Sequence, residues 1–150
     1  MTQRRRIPTE LVWLAGAALL ALVVGGAYVA QSALGGDSGD RISVRILSPA
    51  EGEALSSPVT LKVASAGIEI AMPQDGVAGA AHYHAFVNVH PFTPGGEVIP
   101  TDDERIHHFA TDTLELGLEP GFYLVVVALG DNDEVRLTNA TVDAVEFVVE

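Results

Sequence analysis

The chain has 150 residues, a formal net charge of −12 and no cysteine. That length admits one ordinary domain, and the missing thiols exclude disulfides, thiolate zinc sites and cysteine nucleophiles. From Gln31 onward there are five basic and nineteen acidic residues, a net charge of −14; so acidic a surface repels nucleic-acid backbones and anionic headgroups and favours soluble cations or cationic proteins.

Residues 1–10 form a basic tail containing Arg4, Arg5 and Arg6, and residues 11–30 follow as twenty positions without a charge. At 1.5 Å per residue such a helix reaches roughly 30 Å, the thickness of a bilayer's hydrocarbon core. The arginines precede it and no comparable basic cluster follows. The positive-inside rule therefore predicts a cytoplasmic N-terminus, a transmembrane signal-anchor over 11–30, and the remainder outside the cytoplasm, periplasmic or extracellular. A cleaved signal peptide is the competing reading, but its apolar region is normally shorter. Residues 31–40 are small and polar, as expected of a flexible linker. Within them Gly36-Asp37-Ser38-Gly39 echoes the nucleophile motif of trypsin-like proteases, but the next position is Asp40 and a double barrel needs a far longer chain.

Residues 41–150 are expected to form the extracytoplasmic domain, and there the dominant period is two. Ile42, Val44 and Ile46 alternate with Arg41, Ser43 and Arg45, and Val59, Leu61 and Val63 with Thr60, Lys62 and Ala64. Leu114-Leu116-Leu118, the apolar run 122–129 and residues 142–149 continue the pattern, separated by turns such as 48–52, 119–121 and 130–132. Short strands at this spacing predict an all-β fold, an immunoglobulin-like β-sandwich. Tyr123, just after the turn Glu119-Pro120-Gly121, occupies the place of a tyrosine corner, whose hydroxyl bonds back to the preceding loop, or else packs as an ordinary strand aromatic.

All five histidines lie between positions 82 and 108. Residues 80–90 read as one strand, on which residues two apart share a face, so His82 and His84 would stand about 7 Å apart at their Cα atoms, close enough to share an ion. His90 has the same parity but lies three steps further along. His107 and His108 form a second cluster, of which only one can join that face, with His108 the first candidate and His107 the reserve. Imidazoles suit Zn(II), Cu(II) or Ni(II), and with Met1 and Met72 the only methionines a thioether-rich Cu(I) site is disfavoured. The acidic run Asp102-Asp103-Glu104 would help attract a cation. Gly130-Asp131-Asn132-Asp133-Glu134 lacks a full calcium loop and reads as an acidic turn, and Asn139-Ala140-Thr141 matches a glycosylation acceptor.

The order of these features resembles an uncharacterised family of small exported bacterial domains of unknown function with a histidine-rich strand. An opening strand leads into 48–52 and Ser56-Ser57-Pro58-Val59; then come His82-Tyr83-His84, Pro100-Thr101-Asp102, His108-Phe109, Leu118-Glu119-Pro120-Gly121 and Leu129-Gly130-Asp131. The resemblance covers about residues 42–149 and implies an exported β-sandwich. In that family Tyr83 tends to be a further histidine, and a histidine tends to follow Gly130-Asp131.

These features predict a membrane-tethered extracytoplasmic binding module holding Cu or Zn through His82, His84, His108 and His107. The alternative is a cell-envelope structural or protein-interaction module without metal, engaging an envelope protein partner. No nucleophile elbow, phosphate loop or dinucleotide fingerprint points to an enzyme, although a three-histidine hydrolytic site stays compatible with the histidines.

Overall fold

The computed structural model describes residues 41–90 and 92–150. The predicted tail, anchor and linker over 1–40 lie outside the described residues, and within those residues no helix is long and apolar enough to cross a membrane. Eight strands follow in chain order: β1 (Ser43–Ser48), β2 (Glu53–Leu55), β3 (Val59–Ala66), β4 (His82–Val87), β5 (Ile106–Phe109), β6 (Thr113–Leu116), β7 (Gly121–Gly130) and β8 (Asp143–Val149). The helical content described is one 3-10 turn, Pro73–Asp75. The fold is all-β.

The strands form two sheets, β1-β3-β6 and β2-β8-β7-β4-β5. Every pairing between them is antiparallel except β2 with β8. In β3 and β8 the period-two pattern acts as expected: Val59, Leu61 and Val63, and Val145, Phe147 and Val149, are buried while Lys62 and Glu146 are exposed. These residues meet Val44, Leu116, Tyr83, Ala85, Val125 and Val127 in one core shared by both sheets.

Strand β4 departs from alternation, because all six of its residues are buried. Its inner face, Tyr83, Ala85 and Val87, joins the shared core. Its outer face carries His82, His84 and Phe86, and the segment between β4 and β5 covers it. There Ile99 packs with Phe86, Ile106, Val126 and Ala128 in a second apolar cluster bordered by Phe92. The strand is shorter than the run 80–90 read from sequence. Asn88 ends it with φ of 53°, its N–H donating to the Leu124 carbonyl while its side-chain oxygen accepts from the Leu124 N–H.

Tyrosine hydroxyls tie both ends of this framework. Tyr83 donates to Ser65 Oγ on the opposing sheet at 2.8 Å, so the residue between the two histidines bridges the core. Tyr123 donates to the Glu119 carbonyl at 2.8 Å, closing the turn into β7. Replacing Tyr123 with phenylalanine removes that bond and should lower unfolding stability by about 0.5–1.5 kcal/mol, read from urea denaturation with an unchanged slope.

Candidate metal centre

The outer face of β4 presents His82 and His84 on the same side, and pairing on both flanks adds to them. On one flank β5 runs antiparallel with His108 opposite His84, so His108 joins the same face. On the other flank Gly130 lies opposite His82 and Ala128 opposite His84, leaving room above β7. Gly130 is needed for that room. A Cβ there would sit 2.5 Å from His84 Cε1 and 3.2 Å from Ile99 Cδ1, so any side chain would push the imidazole out of place.

The fourth member comes from the turn after β7. Gly130 and Arg136 form an antiparallel bridge, and the five residues between them fold back over the histidines. Asp131 builds the turn: its Oδ1 accepts the N–H groups of Asp133 and Val135, each at 2.9 Å. Its carbonyl accepts the Glu134 N–H at 3.1 Å. Asn132 anchors the turn by donating to the Val77 carbonyl, and the Ile99 N–H donates to the Glu134 carbonyl at 2.8 Å. Glu134 itself has φ of 63°, a left-handed conformation that costs a non-glycine residue about 1–3 kcal/mol. The surrounding bonds hold it there, with its carboxylate aimed inward.

Three imidazole nitrogens converge on one oxygen of that carboxylate. His82 Nε2 lies 3.1 Å, His84 Nε2 2.9 Å and His108 Nδ1 3.2 Å from Glu134 Oε2. All four donor atoms fall within 4.8 Å of one another. Four ligands around one ion with bonds of 2.0–2.1 Å would stand about 3.3 Å apart along a tetrahedral edge, so these three separations are nearly those of a coordination shell. The rings pack closely, with centroids 4.3 Å apart for His82 and His84 and 4.4 Å for His84 and His108.

Burial sets the charge states. Desolvation holds His82 below its ordinary pKa against the pull of Glu134. The same cause pushes His84 down to about 4. Burial favours the neutral form of Glu134, but the His84 hydrogen bond and the neighbouring histidines outweigh it and lower its pKa. Near neutral pH His82 and His84 are therefore uncharged, the form that ligates metal, and Glu134 is ionised. Each ring uses one nitrogen: His82 Nδ1, His84 Nδ1 and His108 Nε2 are buried without a hydrogen-bond partner among the described residues.

Of the four sequence candidates, the structure gathers His82, His84 and His108. His107 is not with them. It lies opposite Ala85, and because adjacent strand residues face opposite sides it belongs to the inner face, half-buried. His90 is exposed beyond the end of β4. Asp103 is engaged by Arg105 through contacts of 2.7 and 3.0 Å. Glu134 was not among the candidates; its one signal was an acidic residue in the turn that follows the most apolar strand. No known protein-family pattern matches the chain, and a search of curated proteins finds no match.

The pKa directions carry a sign for stability. A histidine whose folded pKa lies below its unfolded value stabilises the fold above about pH 6.5, and that contribution is lost as pH falls toward the folded value. For His84, between 6.5 and about 4, the loss is on the order of 3 kcal/mol, and protonation of Glu134 at lower pH acts in the same direction. Urea denaturation of the metal-free protein in chelator should show stability falling steadily from pH 6.5 to 4; a flat profile would contradict neutral buried histidines.

Proposed function

We propose that this protein is a membrane-tethered, extracytoplasmic module that binds one divalent transition-metal ion, Cu(II) or Zn(II), through His82, His84, His108 and Glu134. The observation that carries the reading is the convergence of three imidazole nitrogens on one carboxylate oxygen at 2.9–3.2 Å. Nitrogen and oxygen donors without sulfur suit these two ions. Two of the ligands being neutral by burial means that loading does not have to expel their protons. Four protein donors resemble a closed holding site more than a catalytic one, which keeps a position open for water.

The fold supports an immunoglobulin-like sandwich. Strands β1-β3-β6 facing β8-β7-β4 correspond to the A-B-E and G-F-C arrangement, with a tyrosine corner at the entry to the fifth of these strands in chain order, β7. Under that reading the metal centre lies on the outer face of the C and F strands, outside the sandwich core. The apolar run 11–30 and the arginines before it support the tether and the external location, and the resemblance to exported bacterial domains agrees with both.

Calorimetric titration of the full chain in detergent, without a histidine tag, tests the binding. Wild type should take one Zn(II) or Cu(II). His84→Ala and Glu134→Ala each remove a donor, and His84→Ala should weaken binding at least about 100-fold, about 2.7 kcal/mol. His107→Ala and His90→Ala should bind as wild type. Equal affinity in all five proteins, or none in any, would overturn the metal centre and leave a protein-interaction module, for which Phe122, 84 % exposed on β7, would be the first contact to test.

A further inference from the structure

The four donors are not held alike. His82 and His84 have no exposed side-chain surface, whereas Glu134 is 24 % and His108 18 % exposed. The two buried histidines stand on β4, which is hydrogen-bonded to a neighbour on each side. Gly130 and Ile99 close the space behind His84. Glu134 stands on a turn in a left-handed conformation, and the hydrogen bonds of its carboxylate go to His82 and His84, with His108 at 3.2 Å. The centre therefore has a rigid floor of imidazoles and one solvent-facing side, closed by Glu134 with His108 at its rim.

A second feature points the same way. Metal-bound histidines usually donate their other N–H to a carbonyl or carboxylate, which fixes the tautomer and strengthens binding about 10–100-fold. None of the three rings has that second bond among the described residues. Among the described residues the set has the donors of a metal site without protein hydrogen bonds to their outer nitrogens.

We propose that this is an exchange site: the cation enters and leaves through the side closed by Glu134, whose carboxylate is displaced by an incoming donor of an acceptor, while the three histidines hold the ion until transfer. The proposal rests on the metal-binding reading of the same residues. In the step one metal–oxygen bond breaks as one bond from the metal to the acceptor's nitrogen or sulfur forms; the metal keeps its oxidation state and no electron moves. The strongly acidic chain from Gln31 onward favours an acceptor with a basic surface.

Stopped-flow transfer of zinc from the loaded full chain in detergent to the chromogenic chelator 4-(2-pyridylazo)resorcinol tests this, after equilibrium titration has established loading. The observed rate should rise in proportion to chelator concentration. Glu134→Gln should still bind one zinc and release it with a slope at least about tenfold steeper. A rate independent of chelator would mean that the ion must leave before the acceptor engages. An unchanged slope in Glu134→Gln would mean that this carboxylate is not the ligand displaced, and a variant that holds no zinc would mean that the histidines do not hold the ion alone. Each of these three results overturns the exchange site and leaves wild-type binding standing. Wild type that takes no zinc at equilibrium removes both readings.

Discussion

The register in which β4 pairs with β5 and β7 governs everything at the candidate metal centre. With His108 opposite His84 and Gly130 opposite His82, three imidazoles share one face, and the turn leaving Gly130 returns a carboxylate over them. A slip of one residue would send every side chain of the slipped strand to the other face. His107 would then replace His108 at the centre, and Phe109 would leave the shared core. That register is held from the inner side, where Tyr83 reaches across the core to Ser65 and Ala85 packs against the opposing sheet. The core thus specifies the site, although the site lies outside the core.

Burial of two histidines with no exposed surface is costly for a charged ring and tolerable for a neutral one. The structure resolves this by keeping His82 and His84 neutral and supplying one ionised acceptor, Glu134, for the nitrogens that face it. Without an ion the rings donate to that carboxylate. With an ion the same nitrogens present lone pairs, and each ring's proton belongs on its far nitrogen. The arrangement leaves rings whose far nitrogens lack partners among the described residues and a glutamate held in a left-handed turn.

Much of this was readable from the residues, and what was not has a physical explanation. Alternation in β1, β3 and β8 reports one buried face, and the pairing of His82 with His84 follows from period two alone. The choice of His108 over His107 depends on inter-strand register, which a single strand's pattern does not contain. Glu134 eluded the reading because its role depends on a turn anchored to Ile99 and Val77, segments far from it in sequence. The three-residue strand β2 was too short to show a period, and it pairs in parallel with the last strand. The run 80–90 looked like one strand up to His90, because nothing local announced that Asn88 would adopt a left-handed conformation and pair with Leu124.

The central claim is that these four side chains surround a single ion. X-ray absorption at the zinc edge of the loaded protein tests it most directly, since it reports the ligands themselves. The account predicts a first shell of four nitrogen and oxygen atoms near 2.0–2.1 Å with the outer-shell scattering of three imidazoles, reduced to two in His84→Ala. A shell dominated by water oxygens, or imidazole scattering unchanged by that substitution, would contradict it.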